Sequence, residues 1–221
     1  MVNEFADRLK SEYELYLFAL TGRYLSTMAP GIEVTPSVVS DFKRAAAPLR
    51  LSFLATAKQT IDEYTSKNPS ETAQTRAATL EADLARISLE NVSTLVLAMK
   101  GSQQVMFASI KDAGGAMGLA LQKKLSNPDF KVTSMGGRKY AALGYLYTQA
   151  RHFAYLTQIE ARLAQMAADS DLAQVAYSDP AHAGNGTQFS ISGTTKGYPS
   201  YASLIDTVFH YNSSAMVASH V

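Results

Sequence analysis

Phe5, Leu9, Tyr13, Tyr16 and Leu20 recur at steps of three and four residues, with Lys10, Glu12 and Glu14 between them. This is the period of an amphipathic α-helix, and it predicts a first helix that stops near Pro30-Gly31. Thr35 before Pro36 reads as an N-cap followed by proline at the first helical position, so a second helix starts there and runs towards Lys67. Pro48 lies inside it and is expected to kink or divide it, because proline cannot donate to the helical ladder. Asn68-Pro69 marks a break, and Ser70-Glu71 opens a third helix with Leu80, Leu84, Ile87, Val92, Leu95 and Val96 as its apolar stripe. Gly101-Ser102 is expected to interrupt that pattern before another apolar helix over 105–121, weakened in its middle by Gly114-Gly115.

From Asn127-Pro128 to Gly136-Gly137 the sequence reads as a turn-rich connector. A long helix is predicted from Arg138 to about Ala168, with Tyr140, Leu143, Leu146, Ala150, Ala154, Ile159 and Leu163 on its apolar side. The texture changes at Asp169. Two short runs, 172–177 and 187–191, have strand character, and the turn-rich SDPAHAGNG separates them. A brief helix over 201–208 and an irregular tail complete the chain. The fold class expected is mainly α: long N-terminal helices, bundled or extended, then a small mixed α/β C-terminal module. The predicted organisation is a helical region at 1–136, a long connecting helix at 137–168 and the module at 169–221. So small a module buries too little to stand alone, so it is expected to pack on the helix before it.

Composition narrows the function. Across 221 residues, 47% are hydrophobic and 18% charged, which suits a packed core and excludes a disordered chain. Lys and Arg number 20 against 19 Asp and Glu, so the formal net charge of +1 excludes a strongly basic nucleic-acid binder. The balance conceals a polarity. Residues 169–221 hold one basic residue, Lys196, and four acidic ones, which leaves 19 basic against 15 acidic residues in 1–168. The absence of cysteine removes disulfides, thiolate nucleophiles and Cys-ligated metal sites together. No basic segment followed by an apolar run opens the chain, so no secretory signal is read. The most apolar stretch, 105–121, is broken by Lys111-Asp112 and falls short of the roughly 20 continuous apolar residues of a membrane span. No membrane partner is expected.

Asp179, His182 and His210, with His220 beyond them, are candidate ligands for a divalent metal, since imidazole and carboxylate suit such ions. Their spacing matches no compact metal motif, and turn histidines are the competing reading. His152 lacks the Glu-x-x-His pairing of a di-metal bundle. No Gly-x-Ser-x-Gly elbow is present, and GGAMG and GNGTQ lack the Lys-Ser/Thr of a phosphate loop. No catalytic residue is therefore assigned. Lys123, Lys124, Lys131, Arg138 and Lys139 cluster around the Gly-rich connector, with Arg151 further on and Tyr140, Tyr145 and Tyr147 nearby. These are the candidate contacts to phosphates or to an acidic partner, with an ordinary solvated face as the alternative. Twelve Tyr and no Trp favour rings that bury a face and keep a hydroxyl for water or a partner.

Arg151, the turn Asp179-Pro180-Ala181-His182, Gly186, Phe189-Ser190-Ile191, Gly193, Tyr198-Pro199-Ser200 and Phe209-His210-Tyr211-Asn212 form a pattern over about a third of the chain. It resembles the C-terminal domain of phage head morphogenesis proteins, the Mu F-like minor capsid family. Many of those relatives carry Cys near the closing element; here Tyr211 and Ser213 stand there, which puts metal binding in doubt. The resemblance implies a non-enzymatic virion protein, assembled in the host cytoplasm and attached near the portal vertex. It implies several copies per particle, with portal or capsid protein and packaged DNA as partners, and a part in head assembly, packaging or ejection. It implies no resident cofactor. The rival readings are a metal-dependent enzyme and a helical effector that binds a partner helix.

Overall fold

In the computed structural model residues 2–28, 33–111, 130–134 and 136–219 are described, 101–111 by their backbone alone. The architecture is mainly helical: three long helices, then a small module of short strands and a helix. Helix α1 spans Val2–Thr27, α2 Pro36–Lys67 and α3 Ala73–Lys111. Strands β1 (Lys131–Thr133) and β2 (Lys139–Ala141) lead into α4 (Ala142–Met166). Then come β3 (Leu172–Ala176), β4 (Gln188–Ser190), the single-turn α5 (Tyr201–Leu204) and β5 (Met216–Ser219).

The helix signals act as the sequence implies at most positions. Thr35 Oγ1 accepts the Val38 N–H at 3.3 Å, capping α2 ahead of Pro36. Pro48 does not divide α2, which runs through it as one helix. Gly101-Ser102 likewise leaves α3 unbroken to Lys111, and 112–121 lies outside the described residues. The larger difference is at α4. It starts at Ala142 rather than Arg138, because Lys139–Ala141 pairs antiparallel with Lys131–Thr133. The expected connector is therefore a β-hairpin, turned at Gly137 with φ +78°, where a side chain would be strained. Its ladder continues at both ends, Ser134 N–H donating to Arg138 O and Ala142 N–H to Phe130 O.

The chain forms two compact units. One comprises Arg8–Gln59 and Glu81–Tyr147. Its core joins Leu9, Tyr13, Tyr16, Leu20 and Tyr24 of α1 to Phe42 and Phe53 of α2 and to Leu84, Ile87, Leu95 and Met99 of α3. Tyr16 stacks on Phe53 at 5.1 Å, and its hydroxyl donates to Ser88 O at 2.9 Å. Asn91 Nδ2 donates to the Tyr13 hydroxyl at 2.5 Å. As the α1 number rises by three the α3 number falls by three, so these two hydrogen bonds fix an antiparallel register. Burial is the main reason the Tyr13 and Tyr16 hydroxyls titrate far above a free phenol.

The other unit comprises Met1–Asp7, Thr60–Leu80 and Thr148–Val221. Phe5, Tyr64 and Phe153 meet with ring centroids 4.7 to 6.1 Å apart. A second cluster packs Tyr155, Leu156, Ile159 and Leu163 of α4 against Ala173, Val175, Phe189, Tyr201, Phe209 and Val217. The module thus packs on the helix before it, as its size requires. Its sheet is antiparallel in the order β4-β3-β5. Strand β5 lies within the expected irregular tail; it pairs with β3 and buries Val217. Helix α5 stops at Leu204 instead of reaching 208, since Ile205 is extended and Asp206 takes a left-handed φ of 63°.

Phe209 is fully buried, its ring 5.7 Å from Phe189 and 5.6 Å from Tyr201. Phe209→Ala is expected to cost about 3–5 kcal/mol. The β3 amides should lose a matching part of their hydrogen-exchange protection, while Tyr16 and Ser88 in the other unit keep theirs.

Candidate functional site

Besides the Asp171 network beyond β4, polar side chains of the described residues gather in two places. The first is the face of α4 that carries Glu160. Four residues beyond Leu156 and next to Ile159, Glu160 falls on the apolar side of its helix and is buried. Arg76 answers it in a bidentate fork, Nε 3.0 Å from both carboxylate oxygens and Nη2 2.5 Å from one. Thr72 Oγ1 donates to the same carboxylate, and the Tyr201 hydroxyl does so at 3.3 Å. Burial works against the Arg76 charge, but Glu160 outweighs it and raises the guanidinium's pKa. Burial and then the Glu160 charge drive the Tyr201 hydroxyl up. Every oxygen of this carboxylate is in use, so Glu160 is a structural anchor. Removing one partner of such a pair costs about 3–5 kcal/mol.

Beside it, His152 Nε2 stands 3.6 Å from Asp206 Oδ1. Burial is the main cause that lowers the His152 pKa; Arg76 and His210 push the same way, and Asp206 opposes them.

Several of the residues that carry the family resemblance build the module. Phe189 and Phe209 are core. Ser190, fully buried, donates to Asp171 Oδ2 at 2.8 Å and accepts the Gly193 N–H at 2.9 Å. Hydrogen bonds from Thr195, Ser192 and Ser190 hold the Asp171 carboxyl well below the usual carboxylate range. Ser200 caps α5. At Gly193, φ is +78° and an added Cβ would meet that of Ser200 at 3.3 Å.

The proposed metal ligands are placed in turns. Asp179 Oδ1 accepts the Ala181 N–H at 3.0 Å, and its carbonyl accepts the His182 N–H. The His182 ring lies 3.9 Å from Tyr177. His210 Nδ1 accepts the Asn212 N–H at 3.3 Å. Among the described residues no group of three or more His, Asp or Glu could hold a metal ion, and His220 lies outside them.

The second place is the hairpin. Lys131, Arg138 and Lys139 are all exposed on it. The segment 130–141 carries no acidic residue. Side chains alternate across the ladder, so Lys131 and Lys139 project from one face and Val132 and Tyr140 from the other. Val132 is buried, and Tyr140 meets Tyr145 at 5.9 Å. Arg86 on α3 ties the hairpin down: Nη1 donates to Thr133 O at 2.6 Å, while Glu90 Oε2 accepts the Thr133 N–H at 3.0 Å. Asp83 holds Arg86 Nε at 3.0 Å, and the guanidinium sits 5.9 Å from the centre of the Tyr145 ring. Of the other basic candidates, Lys123 and Lys124 lie outside the described residues. Arg151 belongs to the other unit, half-buried, with Nε lacking a partner among the described residues.

The Glu160 and His152 clusters were missed at the sequence level, and the one signal for the first is an acid on an apolar helix face. The His152 shift has a signed consequence. Its folded pKa lies below the ordinary value of about 6.5, so as pH falls through that value the unfolded chain takes up the proton first. The Thr148–Val221 region is expected to lose stability from neutral pH downwards, and His152→Gln should flatten that slope in pH-dependent chemical unfolding. Among the described residues no helix is long and apolar enough to cross a membrane. No protein-family profile, curated protein or solved structure matches this chain.

Proposed function

We propose that this chain is a structural, non-catalytic minor head protein of a phage particle. It acts in several copies near the portal or capsid interior, in head assembly or in DNA packaging and ejection. One observation carries the reading: the Arg8–Gln59 and Glu81–Tyr147 unit leaves large apolar side chains in water on α1, α2 and α3. Leu15, Phe18 and Leu25 stand on α1, Leu51 on α2, and Leu89 and Leu97 on α3. Phe18 is 82% exposed, on the side of α1 opposite the core row Leu9, Tyr13, Tyr16 and Leu20. By helical spacing Leu15, Phe18 and Leu25 share one side of α1, and an exposed apolar stripe of that kind suits a surface that another chain covers. The basic hairpin of the same unit adds charge suited to an acidic protein surface or to DNA. The resemblance of the C-terminal residues supplies the particle.

Co-sedimentation of the purified chain with portal and capsid proteins tests the reading. The wild-type chain should sediment with the assembly, and Phe18→Glu should lose most of that association with its melting temperature unchanged, since Phe18 contributes little to the core. A chain that stays in the supernatant at low and high salt would overturn the proposal.

A further inference from the structure

In an antiparallel ladder, residues at non-hydrogen-bonded positions point their N–H and C=O away from the partner strand. The bonds from Ser134 to Arg138 and from Ala142 to Phe130 put Val132 opposite Tyr140 at a bonded position and Thr133 opposite Lys139 at a non-bonded one. Thr133 therefore faces outward from β1, and both of its main-chain groups are taken by Glu90 and Arg86. Lys139 and Ala141 face outward from β2. Among the described residues the Lys139 N–H and C=O have no partner. The Ala141 N–H points the same way, its carbonyl being committed to the first turn of α4. All three β2 residues are exposed.

The geometry points to β2 as an acceptor edge for an acidic, extended protein segment, which adds as a third antiparallel or parallel strand. An incoming strand finds two donors and one acceptor in register. A side chain opposite Lys139 comes to lie beside its ammonium, with Arg138 and Lys131 on the same hairpin and no acid among them. The same charges select the occupant. Two copies of this edge would set Lys139 against Lys139, and like charges directly opposite disfavour the pair, so the edge rejects itself. Duplex DNA could meet the charges, yet it has no strand to complete the ladder. This inference rests on the hairpin being a contact surface of an assembled protein, and it names the chemistry of the contact.

The test uses the full chain and a short synthetic peptide alternating Glu with Val, beside a twin N-methylated on alternate residues. The unmethylated peptide should bind in a salt-sensitive way and slow exchange of the Lys139 and Ala141 amides. The twin, equal in charge, should bind about tenfold more weakly, because its main chain cannot donate. Equal binding of both peptides, no binding of either, or duplex DNA binding in their place without protection of Lys139 would overturn the inference. A chain that enters particles but ignores the peptide contradicts this inference alone; one that binds the peptide but never sediments with portal or capsid contradicts only the particle assignment.

Discussion

Thr133 is where the hairpin is decided. A two-stranded ladder of three residues a side is marginal in water, and this one persists because α3 supplies what a third strand would. Glu90 accepts the Thr133 N–H, Arg86 donates to its carbonyl, and Asp83 steadies the guanidinium. Both bonds involve charged groups, which makes them stronger than the amide pairs they replace. The arrangement closes one edge of the hairpin and leaves the other open. Val132 seals the inner face, and the β2 edge, with Lys139 on it, is left to the solvent. The direction in which this protein presents its basic residues follows from an ion-paired arginine, Arg86, that directly precedes the core residue Ile87 on α3.

The Thr148–Val221 region uses its polar residues differently. Glu160 is enclosed by Arg76, Thr72 and Tyr201, and Asp171 by Ser190, Ser192 and Thr195. Glu160 ties together side chains from the start of α3 and from α5, and Asp171 holds side chains and the Ser192 backbone N–H just beyond β4. Asp179, His182 and His210 make local turn contacts. Glu160 and Asp171 are thus taken up by hydrogen bonds within the fold. Of the residues that resemble the phage family, Phe189, Ser190, Gly193 and Phe209 build the fold.

Helical periodicity was legible because it is local. Every residue of the α1 series Phe5, Leu9, Tyr13, Tyr16 and Leu20 is buried, as is each member of the α3 stripe from Leu80 to Val96. The hairpin was not legible, for two physical reasons. Tyr140 sits three residues before Leu143, in step with the α4 stripe, so helical period and strand pairing compete for it. Val132 needs a partner strand that follows only after Gly136-Gly137, and those glycines read equally well as a plain connector. Strand β5 was missed because its partner β3 lies about forty residues away. The Arg76–Glu160 and His152–Asp206 pairs join residues 84 and 54 positions apart, and no spacing rule reaches so far. In the basic cluster, Lys131, Arg138 and Lys139 share the hairpin, while Arg151 belongs to the other unit.

Amide hydrogen exchange on the free chain, resolved residue by residue across 130–142, tests the edge asymmetry most directly. Thr133, bonded to Glu90, and Tyr140, bonded across the ladder to Val132, should exchange slowly, while Lys139 and Ala141 exchange close to the rate of an open chain. Equal protection of Lys139 and Thr133 would show that the β2 edge is already occupied and would contradict the account.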